Sequence, residues 1–205
     1  SVPSVVLFDR FSSRMSAPRD EKTLLDPLQQ PNSDVWDKFS RFVGSFELSR
    51  EFHDLPYVPT KNRAQLREFG DVKNVLLIGE LARREQQDQA FDELKRLGWK
   101  PQYVAVIACD WPQLAAICSH IQCLQIAKES NWSHVLICDD QVMFRDNVQF
   151  VQNQISTFLS RHPDWDVILF QALIDKARYL DDASARVSKS WRAACYVVHQ
   201  DYYDV

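Results

Sequence analysis

The sequence predicts an α/β domain, with a mostly parallel sheet flanked by helices and a proline-rich N-terminal extension. Three observations carry that reading. From residue 74 onward, short apolar runs alternate with helical stretches of ten or more residues, the order of a layered α/β fold. The first run, NVLLIG ending at Gly79, is continuously apolar, as strands covered on both faces are. Before residue 74 the chain carries Pro3, Pro18, Pro27, Pro31, Pro56 and Pro59 and little regular periodicity.

The elements follow in order. NVLLIG is the first strand of the main domain. RREQQDQAFDELKRLGW places Ala90, Phe91, Leu94 and Leu97 at helical spacing, with Gly98 as the C-terminal stop. QYVAVIACD is a second strand, and Pro112 opens a long apolar helix, PQLAAICSHIQCLQIAKESN. HVLICDD is a third strand, and NVQFVQNQISTFLSRH is a helix that Pro163 ends. DVILFQAL is a fourth strand; LDDASARVSK is a polar connection; RAACYVVHQDYYDV is a strand of small residues turning into a final helix. Within the extension, VWDKFSRFVGSF places Val35, Trp36, Phe39, Phe42 and Val43 on one helical face. That apolar face implies that residues 1–73 pack on the main domain, residues 74–205, rather than stand apart.

Bulk properties narrow the function. A net charge of −4 over 205 residues argues against a nucleic-acid surface. No run of about 18 apolar residues exists to span a membrane. The five cysteines, Cys109, Cys118, Cys123, Cys138 and Cys195, are odd in number and sit mostly in apolar runs. They read as reduced core thiols and favour a cytoplasmic over a secreted setting. The chain starts without Met and stops inside an expected helix, so both ends read as cut.

The stretch that carries chemistry is HVLICDDQVMF, residues 134 to 144. A buried strand runs straight into Asp139 and Asp140. Ligands of open α/β sheets bind at the carboxyl ends of strands, where this pair falls. Two adjacent carboxylates repel, and burying them costs several kcal/mol without positive compensation. A divalent cation such as Mg²⁺ or Mn²⁺, sharing its shell with phosphate oxygens, is the simplest compensation. The alternative is that the aspartates cap the following turn. Arg83 and Arg84 after the first strand suit phosphate oxygens, or form a solvated helix start. Trp191 suits the apolar face of a sugar ring, or the core. His199 and Asp201 suit a helix cap or a catalytic pair. Asp181 and Asp182, in the polar connection, are candidates for a general base. Neither a GxGxxG nor a P-loop motif occurs, which disfavours other nucleotide-binding classes.

From about residue 74 the chain resembles glycosyltransferase family 25, which includes lipopolysaccharide and procollagen galactosyltransferases. The pieces are NVLLIGELARRE with LKRLGW, CSHIQCLQIAKES, HVLICDDQVMF, and DVILF with RAACYVVHQDYYDV, in the family's order. The third is similar to the family's Glu-Asp-Asp-Val-x-Phe, and the last to its Ala-Tyr-x-Val strand and closing helix. The resemblance implies a GT-A-like fold and transfer from a nucleotide sugar, a UDP-sugar above all, to a hydroxyl of a glycan or glycoprotein. It implies Mn²⁺ or Mg²⁺ at Asp139, Asp140 and Gln141, unless transfer is metal-independent. It also implies donor contacts from Arg83, Arg84, Ser119, His120, Asp139 and Trp191. Two positions depart from the pattern. Gln141 stands on the family's second Asp when Val142 and Phe144 are aligned, whereas sliding by one residue restores both aspartates. Gly79-Glu80-Leu81 replaces the family's Asn-Leu after the first strand. These departures leave a second reading, a non-catalytic GT-A-like module that binds a sugar, a nucleotide or a protein.

Overall fold

The computed structural model describes residues 5–7, 66–108, 111–144, 147–163, 165–181 and 184–203, with the side chains of 5–7, 81, 113, 189 and 191 left aside. The chain divides into two compact units, Ser1–Val2 with Arg14–Lys61 and Pro3–Ser13 with Asn62–Val205; every described residue belongs to the second. The amphipathic segment 35–43 lies outside the described residues.

The described unit is α/β, but its sheet is mixed rather than mostly parallel. Its strands are β1 (Val5–Leu7), β2 (Val75–Gly79), β3 (Gln102–Ala105), β4 (His134–Asp139), β5 (Val167–Tyr179) and β6 (Ala185–His199), in the spatial order β1-β5-β6-β4-β2-β3. β2 pairs in parallel with β3 and β4, whereas β6 is antiparallel to both β4 and β5. The correction has a local cause. Half of the expected polar connection LDDASARVSK is strand: β5 runs on to Tyr179 and β6 begins at Ala185, so the two form one long hairpin. A turn of a few residues can only join antiparallel neighbours. The expected closing helix is a single 3-10 turn, Gln200–Tyr202, within the described residues.

The hairpin is irregular, with five register shifts between Leu169 and Ala177. Such bulges bend a strand pair. The bend lets β1 join both ends of the hairpin, parallel to β5 at Val167–Leu169 and antiparallel to β6 at Ala185–Val187. Leu169 and Val187 form a small core inside this curl.

Helices cover both faces. The helices α1 (Arg84–Arg96) and α3 (Val148–Arg161) contribute Leu94, Ile155 and Leu159 to the larger core, on the face of Leu77, Leu136 and Cys195. Leu66, Phe69 and Val72, from the end of the proline-rich segment, join it, and Phe69 stacks on Trp99 at 4.6 Å. The helix α2 (Pro112–Glu129) covers the other face with Cys123 and Ala127 against Leu76, Ile78 and Ile137. The helix ends obey local rules. Gly98, at φ +95°, ends α1: its N–H donates to Lys95 O and that of Trp99 to Leu94 O. Asn131, at φ +54°, ends α2 in the same way, with bonds to Lys128 O and Ala127 O. Asn147 caps α3 by accepting the Phe150 N–H at 2.8 Å. Among the described residues no helix is long and apolar enough to cross a membrane.

Candidate functional site

β2 lies between β3 and β4, so the chain leaves β2 toward one neighbour and later returns on its other side. The strand order reverses there, and ligands of open α/β sheets bind outside the carboxyl ends of the strands at such a point. Two short loops meet at it. After β2, the turn Leu81–Arg83 closes with the Arg83 N–H donating to Glu80 O at 2.8 Å. α1 then folds back so closely that a Cβ on Gly79 would stand 2.6 Å from the Gln87 side chain. Only glycine admits that approach without displacing Gln87.

After β4, Asp139 Oδ1 accepts the Gln141 N–H at 2.9 Å, an Asx turn. The following residues are stapled down. The Phe144 N–H donates to Glu93 Oε1 at 2.7 Å, and Arg96 Nη2 donates to Phe144 O at 2.9 Å. Burial raises the Glu93 carboxyl, but hydrogen bonds from Arg96 and Phe144 outweigh it and hold the carboxyl below its ordinary range. Val142 and Phe144 are buried while Met143 is exposed, its N–H donating to Gln171 Oε1 at 3.2 Å. That explains why apolar residues resume after the aspartates.

The aspartates are met by arginines. Arg83 is held by Glu80 at 3.1 Å and lies 3.4 Å from Asp140, through Nε to Oδ2 and Nη1 to Oδ1. Arg192, from β6, places Nη2 3.7 Å from Asp139 Oδ2. Three carboxylates, those of Glu80, Asp139 and Asp140, thus share two guanidinium groups. Burial pushes Asp139 up to about 6, against the Gln141 N–H and the arginines. Burial also raises Asp140, with Arg83 opposing it. Asp140 Oδ2 is buried without a hydrogen bond, because the contact with Arg83 Nε is an ion pair without hydrogen-bond geometry.

A divalent ion takes oxygen ligands and fills its shell with phosphate and water. Asp139 and Asp140 fit that role, and the buried acceptor Asp140 Oδ2 is a place for a cation to be received. Gln141 is exposed and engages Asp139 through its main chain. Among the described residues no three His, Cys, Asp or Glu side chains are arranged to hold an ion. Among the described residues an ion would therefore meet these two carboxylates without a third such ligand.

The other expected residues are dispersed. Arg84 is exposed on α1, near Tyr103, whose phenol burial raises, with Asp88 and Asp92 adding to the effect and Arg84 opposing it. Ser119 is buried, donating to Ala115 O at 2.7 Å and accepting the Ile107 N–H at 2.9 Å, so its hydroxyl ties α2 to the loop after β3. His120 Nδ1 lies 2.8 Å from the Tyr196 hydroxyl, and burial lowers its imidazole pKa. Asp181 sits at the hairpin tip, accepting the Ser184 N–H at 2.7 Å and lying 3.3 Å from His162 Nε2. Asp182 and the Trp191 side chain lie outside the described residues. His199 Nδ1 accepts the Asp201 N–H at 3.3 Å and caps the last turn.

Sequence reasoning missed Glu80 and Arg192. Glu80 was legible in principle, three residues from Arg83. Arg192 was a lone charge at the head of a small-residue strand, and only the β4–β6 pairing brings it to Asp139. The chain matches no family model and no curated protein.

Proposed function

We propose that this domain is a glycosyltransferase that binds a nucleotide sugar at the carboxyl ends of β2 and β4 and transfers the sugar to a hydroxyl of a glycan or glycoprotein. The observation that carries the reading is the Asp139–Asp140 pair, half-buried and buried in turn, at the point of strand reversal, flanked by Arg83 and Arg192. The donor is a nucleoside diphosphate sugar, a UDP-sugar above all. Arg83 and Arg192, partly exposed, turn their guanidinium groups from the carboxylates to the donor phosphates, where planar forks bind well. Asp139 and Asp140 would hold Mn²⁺ or Mg²⁺, which would supply positive charge against the leaving diphosphate. A GT-A-like frame is consistent with the parallel trio β3-β2-β4 beside an antiparallel β6.

A second reading, a non-catalytic binding module, is favoured by one observation: arginines already neutralise the carboxylates, and Gln141 adds no charge. Thermal shift against nucleotide sugars, with and without Mn²⁺, tests the site. A donor at 100 times its dissociation constant should add about 2.7 kcal/mol of stability. Asp140→Asn should abolish the metal-dependent part and leave the fold intact. If the variant binds donor as well as the wild type, Asp140 is only the counter-ion of Arg83 and the proposal fails. Turnover with a suitable acceptor separates enzyme from module.

A further inference from the structure

Directly behind the carboxylate pair, β4 and β6 oppose two cysteines. Cys138 and Cys195 are register partners in the antiparallel ladder, both wholly buried, with their Sγ atoms 3.3 Å apart. Both are free thiols. Directly opposed residues of an antiparallel pair point to the same face, with Cα atoms about 4.5–5.5 Å apart. That lies inside the span of about 4.4–6.8 Å that a disulfide bridges. Bond formation needs the sulfurs to close to about 2.05 Å, a change within reach of side-chain rotation.

We propose that Cys138 and Cys195 are a dithiol site that oxidises to a cross-strand disulfide tying β4 to β6. The oxidant is a small disulfide of the glutathione class. One protein thiolate attacks it, forming a mixed disulfide and releasing a glutathione thiolate. The second protein thiolate attacks the mixed disulfide and displaces the other. The two thiol protons end on the two glutathione molecules. Both thiols are wholly buried, out of reach of a solvent-borne disulfide while the sheet is closed. Exchange therefore waits on local opening of β6 from β4. The tie fixes register one residue before Asp139 and three residues after Arg192, independently of what the carboxyl ends of β2 and β4 bind.

The test is to incubate the full chain with oxidised glutathione, in buffer and in urea below the unfolding midpoint. Peptides are then mapped by mass without reduction. The expected product has lost two hydrogens in mass and yields one linked peptide pair joining Cys138 to Cys195, formed faster in urea. Its melting temperature should exceed that of the reduced protein, and Cys138→Ala should yield no linked pair to Cys195. The proposal is overturned if both thiols stay free in urea, if each ends as a stable glutathione adduct, or if either links to Cys109, Cys118 or Cys123 instead.

Discussion

The two ends of β4 bury polar groups in opposite ways. At the first residue, His134 stands opposite His199 in the ladder, 6% and 2% exposed, beside Trp165 and Asp166. At the far end, Asp139 and Asp140 meet Arg83 and Arg192, whose side chains are 42% and 56% exposed. Burial acts on both ends but with opposite sign. It lowers the His134 imidazole to about 4, with His199 adding to the effect and Asp71 opposing it, so the ring is neutral. It raises Asp139 to about 6. The closed end removes its charge. The open end keeps a strained charge because arginines reach it, and groups that arginines reach from solvent a ligand also reaches. Burial of a polar group alone does not mark a site; the exposed counter-charges beside it are what make the acidic end the candidate.

That contrast is sharpest in pH dependence. His134 titrates near 6.5 unfolded and about 4 folded, so the unfolded chain binds more protons between those values. Its contribution to stability is present above pH 6.5 and is lost as pH falls to 4, by up to about 3 kcal/mol. Asp139 goes from 3.8 unfolded to about 6 folded, so the folded chain binds more protons. Stability gains up to about 3 kcal/mol as pH falls from 6 to 3.8. The two terms oppose each other in the wild type. Asp139→Asn should therefore make stability fall more steeply with acid, and His134→Gln should make it fall less steeply. Urea midpoints across pH 4 to 7 read both slopes, and variants that parallel the wild type would break the comparison.

The next largest effect concerns the open end's backbone. Gly79→Ala should cost roughly 1–3 kcal/mol through overpacking against Gln87. Adding Gln87→Ala should recover much of it, a coupling that a double-mutant cycle measures. Additive losses would mean that α1 does not depend on this approach.

Arg192→Ala should weaken donor binding roughly tenfold, about 1.4 kcal/mol, and Arg192→Lys should restore it only in part. Calorimetric titration with a UDP-sugar checks this, and unchanged affinity would confine Arg192 to neutralising Asp139. The smallest effect is expected from Gln141→Asp, a few-fold tightening of Mn²⁺ in the presence of donor, because the added carboxylate brings charge to an exposed position. Weaker binding would show that Asp139 and Asp140 suffice and that a third charge repels the diphosphate.

Much of the main domain is determined locally. β2, α1, α2, β4 and α3 lie where apolar periodicity places them, and Gly98, Pro112, Asn147 and Pro163 mark helix ends through properties each residue carries in any context. Asp139 and Asp140 were legible for the same reason, since charges that interrupt a buried strand are conspicuous in one dimension. The course of β5 and β6 was not. Their distal halves are polar and mostly exposed, and exposed strand residues read like loop until partner backbone is supplied. Strand direction was misjudged with them, because parallel and antiparallel neighbours differ in where the chain returns, which periodicity does not encode. The same limit hid Arg192 from Asp139 and Cys195 from Cys138. Residue type and spacing along the chain determined which groups are buried and which are charged. Which charge faces which was decided by pairings between strands more than fifty residues apart, where only the folded sheet brings the partners within reach of one another.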